Sequence, residues 1–142
     1  MPDMSNELIK AYLNTSYVVN MAGEDAAIRV GQDLPEAVVR LVQSMGVGTF
    51  EVAVITACNP HSRRLSEAEN QSRQGVLAEL LGWHRFPIFP ATGIGDEGDW
   101  SEPGFLIVGV SRSMAVSIGR CCQQNAVIYA EAGGPAELVS CV

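Results

Sequence analysis

The sequence predicts one α+β domain over residues 1–142. It is a single-domain sandwich with a mixed, mostly antiparallel sheet, a ferredoxin-like βαββαβ core from residue 50, and an N-terminal helix, hairpin and helix added in front. Three observations predict it. A chain of 142 residues is large enough to bury a proper core as one domain. Residues 50–82, FEVAVITACNPHSRRLSEAENQSRQGVLAELLG, read as an apolar strand, a polar turn and a signalled helix. From there the pattern runs strand, helix, strand, strand, helix, strand, which is the split βαβ order. A doubly wound parallel sheet is the competing architecture.

Each element has a local reason. Residues 5–13 read as a short helix with Ser5 as N-cap and Leu8, Ile9, Tyr12 and Leu13 on one side. Residues 17–20 and 26–30 read as two strands turned by Gly23. Residues 34–45 form a second helix, with Asp33 as N-cap, Pro35 in the first turn and Gly46 at the exit. The β-branched run 51–57 is a buried strand that Asn59-Pro60 stops, because Pro lacks the ladder donor. Ser66-Glu67-Ala68-Glu69 is a capping box that starts the next helix. On that helix Asn70, Gln74, Leu77 and Leu81 share a stripe, so two polar side chains point inward and need partners in the 58–64 turn. Residues 86–91 are a strand placed at an edge by Pro87 and Pro90, and 92–104 are a long loop. A strand at 105–110, a helix at 112–123 and strands at 126–131 and 137–141 complete the chain.

The split βαβ order sends three polar connections, 58–65, 92–104 and 123–125, to one end of the sheet. Arg63, Arg64 and Arg73, with His61, His84 and Arg85 near them in sequence, hold most of the positive charge of a chain whose formal net charge is −7. An Arg fork matches phosphate or carboxylate, and a turn running into a helix start adds free amides. The plainer reading pairs Arg63 and Arg64 with Asp96, Glu97, Asp99 or Glu102 across the shared end. Arg73, four residues after Glu69, fits a routine surface pair. Cys58, at a strand end and near a helix start, is a nucleophile candidate with His61 in reach, against the plainer reading of a small buried side chain. His61 and Ser62 with an acid from the other loop form a weaker hydrolase pattern. Trp100 covers either a ligand or the edge of the core.

The acidic balance argues against a general nucleic-acid or anionic-membrane binder. No run approaches the roughly 20 apolar residues of a membrane span, and the first residues show no basic stretch followed by an apolar core. Cys58, Cys121, Cys122 and Cys141 have no metal-ligand spacing, so reduced thiols and a cytoplasmic protein are expected. Asp96, Glu97, Asp99 and Glu102 match no calcium-loop spacing, which makes a solvated acidic turn the expectation and leaves no metal or cofactor identified.

The residues ITACNPHSRRLSEAEN at 55–70, DWSEPGFLIVGVS at 99–111 and QNAVIY at 124–129 resemble the DUF3293 family of uncharacterised bacterial proteins, over most of the chain from about Tyr12 onward. By that likeness Asn59, Pro60, Ser62, Asn70, Glu102 and Asn125 are family-pattern positions. The family name implies no activity, and its pattern fixes no Cys at position 58. The expected site is therefore a polar edge of Asn59, His61, Ser62, Arg63, Arg64, Asn70, Trp100, Glu102 and Asn125 that binds a small anionic or nucleotide-like ligand. The rival expectation is a protein–protein interaction or homo-oligomerisation module that uses the same edge or the unpaired final strand at 137–141.

Overall fold

The computed structural model describes residues 4–97 and 100–142. Its elements are α1 (Asn6–Leu13), β1 (Thr15–Met21), β2 (Glu24–Ile28), α2 (Glu36–Ser44), β3 (Glu51–Ile55), α3 (Glu67–Trp83), β4 (Ile88–Gly95), β5 (Ser101–Val108), α4 (Arg112–Cys121), β6 (Ala126–Glu131) and β7 (Glu137–Ser140). The strands form one sheet in the order β2-β1-β4-β5-β3-β6-β7, which curls into a half-barrel.

The helix starts follow local chemistry. Ser5 caps α1 by accepting from the Leu8 amide, and Ser66 and Glu69 form the reciprocal capping box at α3. Ser111 caps α4 by accepting from the Met114 amide. The expected cap at Asp33 does not form. Pro35 occupies the N-cap position of α2 without a side-chain bond, and Asp33 instead makes a β-bridge with Pro135. The β1–β2 hairpin closes on Ala22-Gly23, since Met21 pairs with Glu24 and Gly23 takes the positive φ that such a turn needs.

Two expectations about the sheet are corrected. Every strand pair is antiparallel, so the sheet is not mixed. β3 and β4 do run the same way, but α3 carries the chain far enough across for β5 to return between them. The long loop 92–104 is mostly strand as well. β4 continues to Gly95 and β5 begins at Ser101, which leaves a short hairpin connection. Nor is β4 an edge. Its ladder with β1 stops at Ala91, so Pro90 and Pro87 stand beyond it, and on that side their missing N–H groups leave no gap.

The two sheet faces bury separate cores. On one, Leu77 and Leu81 of α3 and Ala115 and Ile118 of α4 pack on Ile55, Ile107 and Val127. On the concave one, Val38 and Val42 of α2 cover Val52, Val108 and Ala130, and Tyr12 of α1 packs at the rim. Burying one such aliphatic side chain contributes about 1.5–3 kcal/mol. The four strand ends nearest the Asn59-Pro60 turn (the ends of β3 and β4, the starts of β5 and β6) lie at one end of the sheet, together with the α1–β1 junction. At that end α2 no longer covers the concave face.

Close packing of α4 makes a testable distinction between two helical glycines. A Cβ added at Gly119 would stand 2.6 Å from Cys141 Sγ and 2.7 Å from Val127 Cγ1, whereas one at Gly75 would meet nothing within 4 Å. Gly119→Ala is expected to lower stability by about 1–3 kcal/mol through overpacking. Gly75→Ala should raise it by about 0.5–1 kcal/mol. Urea midpoints of the two variants check both signs.

Candidate functional site

After Ile55 the chain leaves the β3 ladder, and its backbone groups find partners on side chains. Gln74 Oε1 accepts from the Ala57 amide at 2.7 Å, while Arg73 Nε donates to the Ala57 carbonyl. Arg73 Nη2 also donates to the Cys122 carbonyl at 2.7 Å, so the expected surface pair with Glu69 is not its role. Thr56 Oγ1 donates to the Pro103 carbonyl at 2.7 Å and ties β3 to the start of β5.

The turn that follows is conformationally costly. Asn59, His61 and Ser62 all have positive φ, at 48°, 50° and 61°. A non-glycine residue in this region is uncommon, and an Asn tolerates it best. The Asn59 side chain compensates by bonding at both ends. Its Oδ1 accepts from the Leu65 amide and from Asn70 Nδ2, both at 2.9 Å, and its Nδ2 donates to Glu102 Oε2 at 2.8 Å. Asn70 Oδ1 in turn accepts from the Asn59 amide at 2.9 Å. The far side of the turn is held by the 123–125 connection. The His61 amide donates to the Gln123 carbonyl at 2.7 Å, Gln124 Nε2 to the Cys58 carbonyl at 3.0 Å, and Asn125 Nδ2 to Ser62 Oγ at 2.9 Å.

Beside this turn opens a cleft of about 1230 Å³ on the concave face. Its floor is made of small and apolar side chains, Val54, Ala91, Gly93, Gly104, Ala126 and Ile128. Leu8, Ala11 and Tyr12 of α1 form one wall. Asn59, Ser62, Arg64 and Leu65 of the turn line the cleft as well, together with Asn70 of α3 and Trp100 beside the start of β5. Glu102 stands in the cleft. Burial pushes its carboxyl above the ordinary range, against the lowering effect of the Asn59 hydrogen bond. Burial also pushes the Tyr12 phenol up to about 12, with the nearby Glu102 charge adding to it. The Tyr17 phenol is raised by burial and by its neighbours Tyr12 and Glu102.

Of the nine expected site residues, Asn59, Ser62, Arg64, Asn70, Trp100 and Glu102 line this cleft together. His61 and Arg63 are exposed and line none of it, and Asn125 acts on it through Ser62. Among the described residues neither Arg63 nor Arg64 makes an ion pair. Asp96 is held instead by both terminal nitrogens of Arg29, at 2.8 and 2.9 Å. Asp99 lies outside the described residues, and among those described no group of three His, Cys, Asp or Glu side chains stands close enough to share a metal ion. His84 and Arg85 fall at the far end of α3, where His84 stacks on Phe86.

The Cys58 nucleophile is corrected. The thiol is buried, faces the Pro103 carbonyl, and is pushed up by desolvation and by the Glu102 charge, against the lowering effects of the Thr56 hydrogen bond and of Arg73. A raised thiol is the opposite of an activated one. Sequence reasoning missed Tyr17, Gly93 and Gly104, and read Tyr12 as part of an apolar stripe. Glycines spaced at β periodicity were the signal for a strand with an open face, but they also suit a loop.

A family model described as "Protein of unknown function (DUF3293)" matches residues 55–127. The matched segment holds the Asn59 turn, Asn70, Glu102 and Asn125 and leaves α1 and β1 outside. No curated protein and no solved structure matches the chain.

The raised Glu102 carboxyl has a signed consequence for stability. The folded chain holds that proton more tightly than the unfolded one, so the contribution is present at low pH and is lost as pH rises through the raised value. Glu102→Gln keeps an oxygen for Asn59 Nδ2 and does not titrate. The melting temperature of the variant relative to wild type should therefore rise between about pH 4 and about pH 7. A difference independent of pH would contradict the assignment.

Proposed function

The chain belongs to the DUF3293 family, and we propose from the geometry of its cleft that it binds a small anionic, nucleotide-like ligand there. The observation that carries this reading is the cleft itself. A large concavity on the open end of the sheet is lined by one arginine, five side-chain amides, four carboxyls, of which Asp96 is paired with Arg29, and three aromatic rings around a floor of small and apolar residues. Ligand sites have this make-up, a mostly apolar surface with few convergent polar groups. Arg64 supplies the anion contact, since it lines the cleft and has no ion-pair partner among the described residues. The rings of Tyr17 and Trp100 close over Gly93, where a Cβ would stand 3.2 and 3.4 Å from them, and both residues line the cleft as aromatic surface for a planar group. Three left-handed residues in the turn beside the cleft fit the same reading, because strain of this kind collects at functional sites.

Two finer points accompany the proposal. We read β3–α3–β4–β5–α4–β6, in the spatial order β4-β5-β3-β6, as a ferredoxin-like unit with the N-terminal elements added beside β4. The four free cysteines suit a reducing compartment such as the cytoplasm. The interaction-module reading has less to rest on. β7 is an edge, but it is four residues long and half-buried along its length, which is how a sheet edge is kept from pairing.

Thermal unfolding with inorganic phosphate, ribose 5-phosphate and nucleoside 5′-monophosphates tests the proposal. A probe at a hundredfold its dissociation constant adds about 2.7 kcal/mol to stability. At least one phosphate-bearing probe should raise the melting temperature of wild type and of Arg63→Ala. In Arg64→Ala the affinity should fall about tenfold or more, the worth of a charge-assisted bond. No shift with any probe, or equal losses in the two variants, would overturn it.

A further inference from the structure

We propose that Glu102 is the specificity residue of the cleft, a fixed hydrogen-bond acceptor that reads the exocyclic amino group of a nucleobase. This rests on the cleft being a nucleotide-like site, and it names what its carboxyl recognises. Three features of the structure carry it.

The first is placement. Tyr17 pairs with Gly93 across β1 and β4, and Gly93 pairs with Glu102 across β4 and β5. The three residues therefore form one row on the concave face, a ring, a bare glycine and a carboxylate side by side. Adjacent strands lie about 4.8 Å apart. A Cβ built at Gly93 would come 3.2 Å from the Tyr17 ring and 3.4 Å from the Trp100 ring. The rings thus fill the space over Gly93, and a planar base stacked on them from the cleft side meets Glu102, the next residue in that row, which also lines the cleft.

The second is the unused oxygen. Asn59 occupies Oε2 of Glu102 at 2.8 Å, and Oε1 has no protein donor among the described hydrogen bonds. Among the described residues no buried side-chain oxygen or nitrogen goes without a partner. No donor meets Oε1 among the described residues, and Glu102 lines the cleft. When ionised, this oxygen accepts and does not donate, so it selects N–H and O–H groups.

The third is that this polarity is locked. Asn59 cannot turn its amide over, because its Oδ1 accepts from both the Leu65 amide and Asn70 Nδ2. Asn70 is fixed by accepting from the Asn59 amide. The group facing Glu102 is therefore always a donor. In Glu102→Gln the Asn59 donor would hold the new amide by its oxygen, and the amide NH₂ would face the cleft. The substitution turns the acceptor into a donor without changing its size, and this makes the test sharp.

The test compares nucleotides with analogues that lack only the exocyclic amino group. The pairs are AMP with purine riboside 5′-monophosphate, GMP with IMP, and CMP with pyrimidin-2-one riboside 5′-monophosphate. Binding is measured by titration calorimetry over a pH series, because the carboxyl accepts with both oxygens only above its raised titration point. In wild type the amino-bearing member of at least one pair should bind about tenfold tighter or more. In Glu102→Gln that preference should vanish or reverse. Arg64→Ala should weaken both members equally and keep their ratio. Nucleotides that bind without discrimination in any pair, or discrimination that survives in Glu102→Gln, would overturn this inference and leave the anion site standing. Failure of every nucleotide, of ribose 5-phosphate and of phosphate itself would overturn the ligand reading and this inference with it.

Discussion

Everything at the open end of the sheet depends on how the backbone is satisfied once it leaves the β3 ladder. Polar backbone groups away from water must find partners, and here they find them on consecutive turns of α3. Asn70 takes the Asn59 amide, Gln74 takes the Ala57 amide and Arg73 takes the Ala57 carbonyl. Each such bond contributes about 0.5–1.5 kcal/mol net, whereas a residue held in the left-handed region costs about 1–3 kcal/mol. A turn with three such residues is therefore stable only while the side-chain network is complete. The apolar half of the same helix supplies the anchor, because Leu77 and Leu81 are buried against Ile55 and fix the polar half in register.

The cleft follows from that anchored turn and from what the sheet omits. Gly93 and Gly104 carry no side chain on a face where Gly93 pairs with Tyr17 and Glu102 and Gly104 pairs with Ala91. At Gly104 a Cβ would stand 3.0 Å from the Ile55 carbonyl and 3.1 Å from the Ala91 carbonyl, so the close approach of three strands requires glycine there. The curl of the sheet leaves a concavity that α2 covers at one end and α1 borders at the other. Arg64 and Glu102 line the space with opposite hydrogen-bonding character, one a donor and the other an acceptor when ionised. The ligand reading grows out of this polarity.

Features that depend on near neighbours in sequence were legible. The Ser66 capping box, the Ser5 cap and the inward-facing Asn70 and Gln74 with partners in the turn all follow from spacing along one helix. The gathering of 58–65, 92–104 and 123–125 at one end followed from element order, although most of 92–104 proved to be strand. The remaining features needed contacts distant in sequence. Arg73 looks like a surface partner for Glu69 until the Cys122 carbonyl is placed beside it. Pro90, Gly93, Gly95, Pro103 and Gly104 carry turn chemistry, yet they lie in strands because ladders end beside the prolines and rings or backbones press on two of the glycines. Tyr12 and Tyr17 have the pattern of ordinary core residues, and only the curl of the sheet turns them toward a cleft.

Hydrogen exchange tests the central claim, that α3 side chains hold the turn and with it the cleft wall. In wild type the amides of Ala57, Asn59 and Leu65, which donate to Gln74, Asn70 and Asn59, should be protected. In Asn70→Ala the Asn59 and Leu65 amides should exchange much faster, while the β3 amides and those in the second half of α3 keep their protection. Unchanged protection at Asn59 and Leu65 would contradict the account, because the turn would then hold its shape without the helix.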